Sequence, residues 1–387
     1  MNKKNKIYTV ILILFLLLLL GLWWLSLLFV VLVLLYFISL KLIHLIIYPF
    51  FKKTVKGLFL LLFIFIVAIN VKLLLFDIYK VPSSSMNNTL YTNDVIIVNK
   101  LKYGPKLPRS PFEIPWVNIA LYFNKKVRAR MNVNLWEYKR LSGTSNLRNG
   151  DVVVFTMFKK NMTIVKRCMG IAGDTIIIKE GDVYVNNKYF SPSSLILNNY
   201  EFKINNKKVF FRKLDSLDLD IVISRAQTDF YRATMSIEEK DTLEKMDMIK
   251  GLTIITDSIT STSTAYPNSN YNQWNFDYYG PYIIPKKGMM IPLNQKNYAL
   301  YNKVINDYDG VTIKSIDGSY FINDIEVTSY TFNQDYYFMM GDNRKGSMDS
   351  RYWGLVPEER IIGKVQCVLW SSYQDELQWK RLLKKVE

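Results

Sequence analysis

Three short stretches of the chain carry residues that could do chemistry together. The first is Val81-Pro82-Ser83-Ser84-Ser85-Met86, a serine-rich turn. A Ser hydroxyl becomes a nucleophile only when a base takes its proton. Among the 387 residues there is one His, His44, and it lies in the apolar run Leu42-Ile43-His44-Leu45-Ile46-Ile47. No Ser-His-Asp triad, Cys-His pair or multi-His metal site can be assembled elsewhere. Two Cys, Cys168 and Cys367, are too few for a Cys-rich zinc site or a disulfide framework. The base must be Lys or a carboxylate, and neither metal nor cofactor is implied.

The second stretch is Thr163-Ile164-Val165-Lys166-Arg167-Cys168-Met169-Gly170, a strand-like run before the turn Gly170-Ile171-Ala172-Gly173-Asp174. A lysine amine serves as a base near neutral pH only where burial lowers its pKa. Taken alone, Lys166 reads more ordinarily as a solvated strand residue. The third stretch runs from Gly341 to Gly354. It packs two Asp, two Arg and two Ser into the ten residues Asp342–Arg351. Such complementary charge reads as a hydrogen-bonded loop bracing something, or as a local salt-bridged turn.

The elements that must position these residues differ along the chain. Ile7–Phe51 is 45 residues with one formal charge, Lys41, and Gly57–Phe76 is 20 residues with one, Lys72. A membrane span needs about 20 apolar residues. Three spans are expected, about Ile7–Trp23, Trp24–Ile43 and Gly57–Phe76, with Gly21-Leu22-Trp23-Trp24 as the turn of a hairpin. One long tilted helix plus an interfacial helix is the alternative. Lys3, Lys4 and Lys6 precede the first span, and Lys52, Lys53 and Lys56 lie between the second and third. The positive-inside rule places both clusters in the cytoplasm and everything after residue 80 outside it. No small-x-small site follows the first apolar stretch, so a cleavable signal peptide is not expected.

Beyond Phe76 the pattern is mostly β. Val95–Val98, Val152–Phe155, Thr175–Ile178 and Val183–Val185 read as strands, and Asn186-Asn187 as a hairpin turn. Gly318–Asp324 repeats the phrase Gly181–Asn187, as a second hairpin or by coincidence. Helical periodicity is confined to patches near 236–249 and 376–386. The Ser/Thr/Asn-rich stretch Thr256–Trp274 reads as a long exposed loop.

Together the three stretches resemble the type I (leader) signal peptidases, membrane-bound serine proteases that remove signal peptides from exported proteins. Pro82–Met86 resembles the nucleophile box and Asn149–Phe155 the strand box. Val165-Lys166-Arg167 with Gly170, Gly173 and Asp174 resembles the lysine box, and Gly341–Gly354 the final box. The matching regions are residues 76–104, 149–190 and 281–370. The resemblance implies a mostly β catalytic domain of the signal-peptidase/LexA-like fold, with an inserted second β-rich subdomain, behind transmembrane helices. It divides the chain into an anchor (1–79), a catalytic domain (80–190 and 281–387), a basic insertion (101–148) and an accessory subdomain (190–280). It implies Ser85 as nucleophile and Lys166 as general base, with Ser83 and the Ser85 N–H holding the oxyanion. Ser347 would orient Lys166, Asp349 and Arg351 would brace the loop, and Val81, Pro82, Met86 and Val165 would line apolar pockets for small side chains. Substrates would be signal-peptide-bearing preproteins, and the location a bacterial inner membrane, multi-pass, with the catalytic domain on the periplasmic side. The export translocon is a further candidate partner. Asn87-Asn88-Thr89 lacks the family's usual proline, and Lys345-Gly346 stands where an acidic-Asn pair is usual. The long segments 101–148 and 190–280 resemble the enlarged forms of Bacteroidetes-type bacteria.

The net charge of +17 is also local: residues 100–148 alone carry +9, among them Lys125, Lys126, Arg128 and Arg130. Nucleic acid is not an expected partner outside the cytoplasm. Anionic lipid headgroups are expected to meet this insertion, the alternative being a solvated basic face. Two rival functions fit less of the chain, a LexA-like self-cleaving Ser-Lys protein and a catalytically silent envelope protein.

Overall fold

The computed structural model describes residues 3–124, 134–157, 162–217, 219, 221, 223–226, 229–261, 265–267, 269, 272–373 and 376–387. Lys125, Lys126, Arg128 and Arg130 lie outside the described residues. The chain forms two compact units, one of residues 1–79, 97–147 and 362–364, the other of 80–96, 148–361 and 365–387.

In the first unit, leucine-rich sequence without breakers gives helices α1 (Lys3–Leu19), α2 (Trp23–His44) and α3 (Pro49–Asn70), the last continued by a π turn, Val71–Leu75. A helix that is apolar all round and hardly buried by protein needs an apolar surrounding. Among the described residues two helices are long and apolar enough to cross a membrane, α2 and α3 with its π turn; the apolar part of α1, Tyr8–Leu19, is shorter. The first of the three expected spans, Ile7–Trp23, is therefore present only as this shorter helix. The first turn lies at Leu20–Leu22, with Gly21 at φ +75°, and Trp23 opens α2 instead of lying in the turn. Strands β1 (Phe76–Lys80) and β2 (Val95–Asn99) and the short helix α4 (Val117–Tyr122) follow. Part of the basic insertion packs on the helix ends. Leu22, Trp24 and Leu74 are buried against Leu101, Leu107 and Leu141. Trp24 Nε1 donates to Ser142 O at 2.9 Å, and Ser142 Oγ donates to Gly21 O at 2.7 Å.

The second unit is mostly β. Strands β3 (Val152–Thr156) and β4 (Thr163–Gly170) lead to the meander β5 (Thr175–Lys179), β6 (Asp182–Val185) and β7 (Lys188–Tyr189). Next come β8 (Leu197–Ile204), helix α5 (Lys207–Ser216), β9 (Ile223–Arg225), β10 (Phe230–Ser236), helix α6 (Ile237–Glu244) and β11 (Ile249–Ile254). These close a four-stranded sheet, β11-β8-β10-β9, over a core containing Phe202, Phe210, Met235 and Leu243. The remaining strands are β12 (Tyr279–Ile283), β13 (Met290–Pro292), β14 (Ile313–Ile316), β15 (Ser319–Ile322), β16 (Ile325–Glu326), β17 (Ser329–Thr331), β18 (Tyr336–Met340), β19 (Val356–Pro357) and β20 (Ile361–Trp370). Helices α7 (Gln295–Tyr308) and α8 (Ser350–Trp353) interrupt them. Strands β20, β3, β4, β18 and β19 lie side by side in that order, and β12 flanks the β5-β6-β7 meander. The principal core is tyrosine-rich, with Tyr279, Tyr282, Tyr301, Tyr336 and Phe338 buried together.

All four expected strands form. The repeated phrase is a repeated hairpin: Asn186-Asn187 and Asn323-Asp324 both take positive φ, as do Glu180-Gly181 and Asp317-Gly318 before them. These left-handed pairs make the tight turns whose twist suits antiparallel strands. Three expectations are corrected. Helix α7 was not anticipated; it buries Leu300, Tyr301, Val304 and Ile305 on one side and is capped by Asn294. The 376–386 patch forms only a 3-10 turn, Trp379–Arg381, because its backbone runs along β20 (Leu383 N to Val368 O, 2.7 Å). In the stretch 256–274, Ser258–Ser261 are exposed as expected, but Ala265, Tyr266 and Asn272 are buried, so only part of it is an exposed loop. Thr262–Thr264 lie outside the described residues.

Candidate active site

Ser85 sits in a 3-10 turn, Ser84–Met86, entered through the extended backbone of Ser83. Lys166 faces it from the middle of β4, where it pairs with Val153 of β3. Both side chains are buried, Lys166 to 3% exposure. Lys166 Nζ is hydrogen-bonded to Ser85 Oγ. Burial lowers the Lys166 pKa to about 8, against the opposing pull of Asp349 and Asp342 and with help from Arg351. Ser83 Oγ lies 3.4 Å from Ser85 Oγ. Val81, Met86 and Val165 are buried and Pro82 is exposed.

The loop after β18 fits against the Ser84–Met86 turn by backbone contact. Asn343 N donates to Ser85 O at 3.1 Å, and Asn343 Nδ2 to Ser84 O at 3.2 Å. Gly341 leaves no room for a side chain there: a Cβ would come within 2.5 Å of Ser85 O and 2.2 Å of Ser347 Oγ. Asp349 caps α8, accepts from Gly341 N at 3.1 Å, and forms a buried pair with Arg351 through two bonds of 2.8 Å. Burial pushes the Asp349 carboxyl up, but Arg351 and these bonds hold it below its ordinary value. Ser347 is buried over Gly341 with its hydroxyl toward Asp349, which it helps to hold ionised; no hydrogen bond joins it to Lys166.

The family model described as "Signal peptidase, peptidase S26" matches residues 53–241 and 323–370, more than half of the chain. The chain belongs to the signal peptidase S26 family. The signal peptidase I of Buchnera aphidicola subsp. Schizaphis graminum is 26% identical over 321 residues, 81% of this chain and 74% of that protein. That of Aquifex aeolicus is 54% identical over 39 residues, 10% of this chain and 15% of that protein. A solved signal peptidase I from Enterococcus faecalis, 15% identical, covers 57% of this chain and 97% of its own, with a TM-score of 0.21.

Around this candidate site the structure gathers residues that sequence reading left without a role. Arg167, next to Lys166, makes a buried two-bond pair with Asp342 (2.8 and 2.7 Å). Thr89, four residues past Ser85, donates to the same carboxylate at 2.5 Å. Arg381 enters beneath the loop after the Ser84–Met86 turn. It pairs with Asp94 at 2.5 Å, donates to Thr89 O at 3.3 Å, and lies 4.5 Å from the Tyr91 ring centre. Segment 190–280 also touches the final loop. Leu197 N donates to Asp342 O, Arg344 N to Leu197 O and Tyr266 N to Arg351 O, while Phe276 stacks on Tyr352. Lys345, the departure from the family's usual acidic residue, is paired with buried Asp277 of that segment. None of these carries a local signal, since their partners lie 68 to 292 residues away. Cys168 and Cys367 are both free thiols; Cys168 is fully buried and its Sγ–H points to Gly170 O at 3.4 Å. Among the described residues no cluster of His, Cys, Asp and Glu could hold a metal.

Proposed function

We propose that the chain removes signal peptides from preproteins by acyl transfer, with Ser85 as nucleophile and Lys166 as general base. The observation that carries this reading is the hydrogen bond between Ser85 Oγ and a buried lysine whose pKa lies near 8. Neutral Lys166 accepts the Ser85 proton as Oγ attacks the scissile carbonyl carbon. The resulting oxyanion takes hydrogen bonds from Ser85 N–H and from Ser83 Oγ–H, each such donor being worth about 3 kcal/mol in other hydrolases. Lys166 gives its proton to the leaving amine, and the C–N bond breaks. Water, deprotonated by Lys166, then cleaves the ester, releasing the new carboxylate and restoring Ser85. Asp349 and Arg351 brace the loop, and Ser347 orients the lysine once substrate excludes water. Val81, Pro82, Met86 and Val165 line shallow apolar pockets for small side chains at the cleavage junction.

The reading extends to the anchor. Helices α2 and α3 cross a bacterial inner membrane with Lys52, Lys53 and Lys56 inside and the catalytic unit outside, and the basic insertion meets anionic lipid. Its support is the bonding of Ser142 to Gly21 and Trp24 at the turn before α2, the end away from those lysines. Ser85→Ala and Lys166→Ala are each expected to abolish cleavage of a small-x-small precursor in vitro while membrane insertion is kept. Full processing by either variant removes the assignment.

A further inference from the structure

Residues Ile114–Asn124 read Ile-Pro-Trp-Val-Asn-Ile-Ala-Leu-Tyr-Phe-Asn, with no formal charge, inside the most basic part of the chain. Helix α4 forms there and buries none of its residues in protein. Ile119 is 55%, Tyr122 50% and Phe123 80% exposed. A cluster this apolar is left uncovered in water only at a cost. At six residues α4 is far too short to span a bilayer.

Its position supplies the missing cover. The Trp116 ring packs on Phe65 of α3, centres 5.6 Å apart, and Lys72 Nζ lies 5.9 Å from the same ring. Phe65 precedes the end of the π turn by ten residues, about 15 Å along a helix. Trp116 is therefore set well down the side of α3, not at its end. On the reading that α3 crosses the membrane, this depth lies within the leaflet at the Leu75 end. We infer that residues 114–123 form a wedge sunk among the acyl chains of that leaflet, beside α3. The aromatic residues and the Lys125-Lys126 pair that follows in sequence suit an interfacial helix, whose apolar side sits about 5–10 Å into the boundary region. The contact is apolar and does not depend on anionic headgroups, which separates it from the role proposed for the basic residues.

The test uses the full chain in zwitterionic phosphatidylcholine vesicles. Tryptophan emission of the wild type minus that of Trp116→Phe isolates Trp116 among the eight tryptophans. That difference is expected to be lost when the lipids carry bromine on their acyl chains and to survive aqueous iodide. A difference that iodide removes and bromine leaves, or that neither quencher reaches, overturns the wedge. Leu61→Trp in the Trp116→Phe background is the second arm. If bromine fails to quench Trp at position 61, the reading of α3 falls; if it quenches there but not at Trp116, only the wedge falls.

Discussion

Lys166 is costly to bury as a cation, and that cost makes its proton easier to lose. Burial is the largest influence on its pKa, and it acts against two nearby carboxylates, Asp349 and Asp342, that favour the ammonium. The outcome, about 8, fixes the sign of the pH dependence. Below that value the ammonium predominates and cannot accept the Ser85 proton; above it the amine predominates. Activity should rise with pH through about 8, losing about tenfold for each pH unit below that limb. A kcat/KM profile against pH on a small-x-small precursor checks this. A limb below pH 6 would mean a carboxylate base and would refute the role of Lys166.

At the scale of elements, the Ser84–Met86 turn and the loop after it depend on a distant strap. Arg381, from the 3-10 turn at Trp379–Arg381, reaches Asp94, which is fully buried, and closes the loop whose Val81 N donates to Asp94 O at 2.8 Å. Removing one partner of a buried pair strands the other, at a cost of about 3–5 kcal/mol, whereas removing both costs less. Arg381→Met should thus lower the thermal midpoint and reduce kcat, and Asp94→Asn with Arg381→Met should recover part of the midpoint. Equal midpoints for wild type and Arg381→Met would show that the pair holds nothing. The strap also marks the limit of what sequence made legible. Alternating β-branched residues exposed the four strands and Asn186-Asn187 the turn after the last, and the phrase Gly318–Asp324 offered a second hairpin as one of two readings, since these signals are local. The order of Ser85, Lys166 and the Gly341–Gly354 loop gave the site by resemblance. The 256–274 stretch was legible at Ser258–Ser261, which are exposed, and misled beyond them, because Tyr266 is buried through bonds to Arg351 O and Leu300 O that composition does not show. Helix α7 was missed because its core positions include Tyr301, and Asn297, Asn302 and Asn306 blur the period.

At the scale of the whole molecule, the charge raises a question that the helices alone do not answer. Basic residues lie in the first turns of α1 and of α3, and those of α3, Lys52, Lys53 and Lys56, mark the end that the proposed anchor holds inside, yet the largest excess, +9 over residues 100–148, follows α3. The positive-inside rule weighs charges within about 15–20 residues of a span, and the insertion begins beyond that distance from Phe76. Its charge therefore need not oppose export, and it is free to serve the surface on which the insertion rests. Anionic lipid would contribute up to about 1 kcal/mol for each basic residue near the headgroups, within a Debye length of about 10 Å at 0.1 M salt. In nanodiscs of the full chain, backbone amides of 134–147 should exchange more slowly with phosphatidylglycerol present than with phosphatidylcholine alone. Raising the salt should erase that difference, while the acyl-chain contact of Trp116 should persist. Exchange indifferent to both lipid charge and salt would assign the excess to a solvated face.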